Sequence, residues 1–316
     1  MRTWLSPEEY VESRRCVVSV GNFDGVHRGH AGLVSGMVRY ARERGLAAVV
    51  VTFAPHTRTA LHPSQPLLVL STLEEKAVLL GRFGVDHLVR LAFDSRVRQL
   101  TAERFVAEVV ARRLRASAWV MGHGHRFGSD HLAPGPALHE LLGRNDITLL
   151  PLELLADDGD VVSSTSIRTC VGSGDMERAV AMLGHPYLIA ARRVVGRGIG
   201  TGLGFPTLNF ECPPAEKVLP PPGVYAARLQ VGSQALPGAL YFGTCATLGA
   251  REAHFEMHLL GDAGAAPSTG EVGLLWVDRH VRGNQVFSDG AELTRQIRRD
   301  VTFIQGLYRE GAVACL

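Results

Sequence analysis

The chain changes rhythm between residues 184 and 187. Before that point, short apolar runs alternate with segments of helical period. Val17–Val20 and Ala47–Phe53 are nearly unbroken apolar runs, the mark of strands buried on both faces. His87–Leu91, Ala116–Met121 and Ile147–Leu150 read as further strands. Helical patterns lie between them: from about Gly29 to Arg44, from a capping box of Ser71 with Glu74 to near Gly84, from Thr101 onward, and over Pro136–Leu142. Two more helices follow. Ser164 or Thr165 caps one running to about Val171, and Asp175 caps one running to about Leu183. Such alternation predicts an α/β domain with a doubly wound, Rossmann-like parallel sheet.

From Pro186 on, glycine and proline are dense and the period changes. Gly223–Val231 and Ala253–Leu260 alternate polar and apolar residues, as strands with one buried face do. Several such runs separated by turns predict a small antiparallel β-barrel. Ala291–Leu307 returns to a helical pattern. The expected domains are therefore 1–185 and 186–316.

With 316 residues, 46% hydrophobic and 20% charged, the chain has material for two cores. A formal net charge of +2 and scattered arginines argue against a nucleic-acid partner. Five widely spaced cysteines without a C-x-x-C pair suggest neither a zinc knuckle nor a disulfide framework. The polar stretch Met1–Arg15 has no apolar core of a secretory signal, and no apolar run reaches about 20 residues. A cytoplasmic protein is expected, with no membrane partner.

Directly after the first apolar run stands Gly21-Asn-Phe-Asp-Gly-Val-His-Arg-Gly-His30. A glycine-rich turn leading into a helix aims backbone amides at phosphate oxygens. His27 and His30 are three apart and share a helical face, so their rings can donate hydrogen bonds to the same ligand. Nucleotidyl transfer needs such donors at a crowded anionic transition state, and needs no protein nucleophile. Ser163–Arg168 offers a second cradle: hydroxyls and amides at a helix start, with Arg168 in the first turn. The helix dipole disfavours a cation there, so an anionic ligand is the natural complement.

In the second half, Gly196-Arg-Gly-Ile-Gly-Thr-Gly-Leu-Gly204 runs into Phe205-Pro206 rather than into a helix, which argues against a dinucleotide-binding loop. Strand alternation in Ala253–Leu260 puts His254, Glu256 and His258 on one face. That face reads first as a proton-accepting carboxylate site, with a solvated surface and then a transition-metal site as alternatives. His123, His125 and His131 also lie near one another, at a spacing that matches no standard metal motif.

Five motifs resemble those of the bacterial bifunctional riboflavin kinase/FAD synthetases. They are Gly21–His30, Val51-Thr-Phe-Ala-Pro-His56, Val162-Ser-Ser-Thr-Ser-Ile-Arg168, Gly204-Phe-Pro-Thr-Leu-Asn209 and Leu219-Pro-Pro-Pro-Gly-Val-Tyr225. The resemblance implies an HxGH nucleotidyltransferase domain followed by a riboflavin kinase barrel with a C-terminal helix. It implies that His27 and His30 serve the adenylyl step and that Glu256 is the kinase base. Gly21, Phe23, Asp24, Gly25, His56, Ser164, Thr165, Arg168, Gly198 and Gly200 would hold nucleotide and phosphates. Thr207 and Asn209 would reach Mg²⁺, and His125 and Phe127 would lie on the flavin side. ATP, riboflavin, FMN and FAD are the implied substrates and products; the sequence leaves a homo-oligomer open.

The chain departs from the family pattern at Gly124–His125, Thr201, Leu208 and Cys245–Ala246. Two alternatives therefore stay open at this stage. One is a specialised paralogue acting on a flavin analogue or other nucleotide, or with only one active module. The other is a non-catalytic flavin-nucleotide binding or regulatory protein.

Overall fold

A computed structural model describes residues 1–65, 67–122, 126–150, 162–196, 198–243, 254–261 and 266–311. The expectations for His123, Gly124, His125, Cys245 and Ala246 lie outside the described residues. Two compact units emerge, Met1–Val162 and Ser163–Leu316.

The first unit carries a six-stranded sheet. Its elements are β1 (Arg2–Trp4), β2 (Cys16–Val20), α1 (Arg28–Glu43), β3 (Ala47–Ala54), α2 (Thr57–Leu61), α3 (Leu73–Arg82), β4 (His87–Ala92), α4 (Ser95–Arg98), α5 (Ala102–Arg104), β5 (Ala116–Val120), α6 (Pro136–Gly143) and β6 (Thr148–Leu150). A π-helical stretch, Phe105–Arg113, continues α5. The strand order is β1-β4-β3-β2-β5-β6, and every pair is parallel. All five residues of β2 are buried, which is why its sequence shows no alternation. From β2 the chain builds outward through β3 to β4, then crosses back to β5 and on to β6. The order thus reverses at the carboxyl ends of β2 and β5, where open parallel sheets place their ligands.

Two local expectations shift. The polar N-terminus contains a three-residue edge strand, β1, in register with β4 from Arg2↔His87 to Trp4↔Val89. Its short length gives no periodic signal, and Trp4 is held instead by a hydrogen bond to His87 Nδ1 at 3.2 Å. The capping box of α3 is formed by Thr72 and Glu75, one residue later than Ser71 and Glu74. Ser71 is buried and committed elsewhere: its hydroxyl accepts from the Gly25 amide at 2.9 Å.

The second unit comprises α7 (Ser164–Ser173), α8 (Met176–Leu183), β7 (Tyr187–Val194), α9 (Ile199–Gly202), β8 (Leu208–Phe210), β9 (Gly223–Val231), β10 (Gln234–Gly243), β11 (His254–Leu259), β12 (Val272–Gly283) and α10 (Gly290–Arg309). The six strands close into a barrel in the order β10-β11-β8-β7-β12-β9, all antiparallel. Tyr187, Phe210, Tyr225, Phe255 and Trp276 are buried. Asp289 caps α10 by accepting from the Glu292 amide at 2.7 Å. A hydrogen bond and an ion pair tie α10 to the barrel. Arg228 and Asp278 pair within the barrel, and Tyr308 of α10 donates to the same carboxylate at 2.8 Å. Arg282 of β12 pairs with buried Asp300 of α10 at 2.8 Å. Helix α8 packs on β7 and β12, so α7 and α8 group with the barrel.

Candidate active sites

The decapeptide begins where β2 ends. The Gly21 amide donates to Val51 O at 3.0 Å, extending the β2–β3 pairing by one bond. The chain then turns sharply through Phe23 (φ 45°), Gly25 (φ 79°) and Val26 (φ 42°), all in the left-handed region. Two non-glycine residues at positive φ are costly, and the surrounding hydrogen bonds hold them there. Asp24 is buried, and its carboxylate accepts from the Leu70 amide at 2.9 Å and the Ser71 amide at 3.1 Å. Asp24 therefore shapes the turn by docking it on the segment that opens α3. Asn22 does the same on the other side: its amide donates to Thr57 Oγ1 at 2.9 Å, and its Oδ1 accepts from the Thr57 amide at 3.3 Å. That pair fixes the start of α2, where His56 is the cap and its Nδ1 accepts from the Arg58 amide.

His27 is the cap of α1, and His30 lies in its first turn. The rings stack with centroids 3.8 Å apart and planes 24° apart. Phe23 leans against His30 at 5.1 Å. A side chain at Gly29 would bring Cβ within 3.3 Å of the His27 ring, so the glycine keeps room for the stack. Burial above all, then the nearby His27 and Lys76, hold the His30 imidazole well below the ordinary histidine range. His30 is accordingly neutral near pH 7, which makes one ring nitrogen a potential donor and the other a potential acceptor. No acidic residue stands in the first turn of α1.

Lys76 is the residue that motif reading missed. It lies on α3, is 4% exposed, and donates weakly to Thr52 Oγ1 at 3.5 Å. Burial lowers its ammonium below the ordinary lysine range, opposed by the charges of Asp24 and Glu75. The signal was its phase: Lys76 shares the buried stripe of Leu79 and Leu80 at i, i+3, i+4. Phe127 packs its ring on Trp119 at 5.1 Å and on Phe105 at 6.0 Å. In α7 the cap is Ser163, whose hydroxyl accepts from the Ser166 amide at 3.2 Å. Ser164 and Thr165 thus fall in the first turn, and Arg168 reaches back to Thr165 Oγ1 at 3.5 Å.

The barrel unit holds a second constellation. Alternation along β11 buries Phe255, Met257 and Leu259 and leaves His254, Glu256 and His258 partly exposed. Glu256 pairs in register with Asn209 of β8. Its Oε2 accepts from Thr207 Oγ1 at 3.3 Å, and its Oε1 lies 2.7 Å from His254 Nε2. The glycine run folds against this group. It contains a single helical turn, α9, which ends before Phe205. A Cβ at Gly196 would stand 2.1 Å from Asn209 Nδ2, and one at Gly200 would stand 2.4 Å from Phe205 O and 3.2 Å from Thr207 Oγ1. Those two glycines are required because the loop lies directly on the Thr-Leu-Asn segment. Gly198 (φ 70°) and Gly204 (φ 84°) supply the left-handed turns.

A cavity opens beside Glu256. Its apolar walls include Leu203, Phe205, Val224, Leu293, Ile297 and Val301, and its polar lining includes Arg282, Asn284 and Asp300. Among the described residues no cluster of three His, Cys, Asp or Glu side chains could hold a metal ion. The transition-metal reading of His254, Glu256 and His258 therefore falls, and His258 instead turns Nδ1 to Pro206 O at 2.9 Å. The hydroxyl of Thr207, the amide oxygen of Asn209 and the Glu256 carboxylate are hard oxygen donors. Their chemistry fits a magnesium ion, which takes oxygen ligands.

The sequence matches two family models, described as FAD synthetase over residues 10–166 and riboflavin kinase over residues 183–307. The bifunctional riboflavin kinase/FMN adenylyltransferase of Escherichia coli (strain K12) is 32% identical over 286 residues, covering 90% of each chain. The chain belongs to the bifunctional riboflavin kinase/FMN adenylyltransferase family. The Pseudomonas fluorescens member is 34% identical over 80% of this chain and 81% of its own, and the Bacillus subtilis (strain 168) member is 28% identical over 92% and 91%. A solved structure described as a macrolide-efflux protein from Streptococcus pneumoniae shares the fold, with a TM-score of 0.77, 26% identity and 98% coverage of both chains. Among the described residues here, no helix is long and apolar enough to cross a membrane. The FAD synthetase match contains His27, His30, His56, Ser164 and Thr165, whereas the riboflavin kinase match contains the glycine loop, Thr207, Asn209 and Glu256. Arg168 lies between the two matches.

Proposed function

We propose that the barrel unit phosphorylates riboflavin with ATP, and that the parallel-sheet domain adenylylates the resulting FMN to FAD with release of pyrophosphate. The observation that carries this reading is the pair of separate stations, a stacked His27–His30 couple at the sheet's switch point and a Thr207–Glu256–His254 network beside an apolar cavity. In the phosphoryl step, the 5′-hydroxyl of the ribityl chain gives its proton to Glu256 as its oxygen attacks the γ-phosphorus of ATP. The P–O bond to ADP breaks. The apolar walls suit a planar tricyclic ring, and the glycine loop supplies amides for the phosphates. Thr207 and Asn209 would hold Mg²⁺, which would act as a Lewis acid that neutralises charge developing on the phosphates.

In the adenylyl step, a phosphate oxygen of FMN attacks the α-phosphorus of ATP and the bond to pyrophosphate breaks. His27, His30 and the amides of the Gly21–Gly25 turn donate to the charge that builds there. Asp24 keeps the turn in shape, and Lys76 adds positive potential from behind. The family motifs assign His56, Ser164, Thr165 and Arg168 to the nucleotide, and His125 and Phe127 to the flavin side. By motif, the functional boundary falls at 185/186. Both reactions draw on ATP, in keeping with a cytoplasmic protein.

Incubation with Mg²⁺-ATP and either riboflavin or FMN, with products separated by chromatography, tests the assignment. FMN should form from riboflavin and FAD from FMN. His30→Ala should abolish only FAD formation, and Glu256→Ala only FMN formation. Either change stopping both steps in a folded protein, or neither product forming with the wild type, sinks the reading.

A further inference from the structure

The two oxygens of Glu256 have different neighbours. Oε2 accepts from Thr207 Oγ1 at 3.3 Å, on the side of the cavity and the glycine loop. Oε1 lies 2.7 Å from His254 Nε2. His254 and Glu256 stand two residues apart on β11 and project from the same face, with the buried Phe255 between them on the other. The two side chains are 25% and 26% exposed. The last torsion of a glutamate is soft and roughly two-fold, so a carboxylate about a quarter exposed and left to itself turns about it. Bonds to both oxygens remove that freedom.

A carboxylate only accepts, so His254 must donate through Nε2, and it does so in the neutral Nε2–H tautomer and as imidazolium alike. The contact therefore fixes orientation in either charge state.

We propose that His254 is the positioning residue of the phosphoryl-transfer site, holding Oε1 of Glu256 so that Oε2 faces the incoming hydroxyl. The inference rests on the reading of Glu256 as the base. In the step, Oε2 takes the proton of the attacking hydroxyl, the new O–P bond forms, and the bond to ADP breaks. His254 keeps its own proton throughout. A base rotated away by about 1 Å loses rate by factors near 10², which sets the scale of the effect.

The test uses the full chain with Mg²⁺-ATP, measuring kcat and KM for FMN formation and, in parallel, FAD formation from FMN. His254→Ala should lower kcat for FMN formation by about 10-fold to 100-fold. KM for riboflavin and for ATP should stay within about twofold, and FAD formation should be unchanged. His254→Gln, whose amide can donate, should recover most of the lost kcat. In a Glu256→Gln background, His254→Ala should add little, because both changes then remove the same function. Unchanged kcat in His254→Ala, a loss carried by KM alone, or a full further loss in the Glu256→Gln background would overturn the proposal. His254→Leu keeps the side-chain bulk without the donor; should His254→Ala lose its cooperative melting transition, the His254→Leu and His254→Gln pair carries the same comparison. Full FMN formation by Glu256→Gln alone would instead remove Glu256 as the base, a failure distinct from that of His254.

Discussion

At the residue scale, the geometry of the histidine couple depends on one absent side chain. The His27 ring sits 3.3 Å from where a Cβ of Gly29 would be. Gly29→Ala should shift that ring by a few tenths of an ångström against the His30 stack and lower FAD formation roughly several-fold, with FMN formation from riboflavin unchanged. An unaltered rate of FAD formation would show that the stack is not the working arrangement. His30 also sets a pH dependence. Its native proton affinity is lowered, chiefly by burial. Below the ordinary value of about 6.5 the unfolded chain then binds more protons than the native one. The native state is thus favoured above that pH, and this contribution is lost as pH falls from about 6.5 toward the depressed native value. One such group contributes at most about 1.4 kcal/mol per pH unit. Urea midpoints of the first unit's transition between pH 7.5 and 5.5 should fall more steeply for the wild type than for His30→Gln, and equal slopes would contradict the assignment.

At the scale of elements, Ser71 and Thr72 stand side by side and do different work. Thr72 caps α3, and Ser71 ties the phosphate turn to the same segment. Thr72→Ala should cost about 1 kcal/mol of stability, the usual loss for a cap. Ser71→Ala leaves the cap intact but removes the hydroxyl that accepts from the Gly25 amide, so it should slow FAD formation beyond any stability loss. Thermal melts and FAD rates on the two variants check the contrast, and it fails if both behave as cap mutants. The element carrying Lys76 illustrates what a local sequence signal can and cannot give. Ser71-Thr-Leu-Glu-Glu-Lys announces a helix start, yet either hydroxyl satisfies the pattern. Asp24, 47 residues from Ser71 in sequence, selects between them by engaging Ser71.

At the scale of the whole molecule, the compact boundary at 162/163 and the expected functional boundary at 185/186 bracket α7 and α8. Met176, Ala179, Met182 and Leu183 of α8 are buried, and the helix packs on β7 and β12. A fragment starting at Ser163 should therefore be more stable than one starting at Pro186. Each large apolar side chain uncovered costs roughly 1.5–3 kcal/mol, so the difference should reach several kcal/mol. Equal unfolding midpoints for the two fragments would mean that α8 contributes nothing to the barrel's core.

The sequence alone determined the two classes of architecture, because apolar period follows directly from which faces are buried. It also determined the motif residues, since His27, His30, Thr207, Asn209 and Glu256 lie in short, chemically distinctive strings. Tertiary structure decided the rest. It made Asp24 and Asn22 clamps, buried Lys76 behind the histidines, placed β1 on the sheet edge and set His254 against Glu256. Each of these depends on which groups meet across the fold. Even the two-residue spacing of His254 and Glu256 says only that they share a face, because hydrogen bonds are made at about 3 Å and no periodicity fixes side-chain torsions to that tolerance.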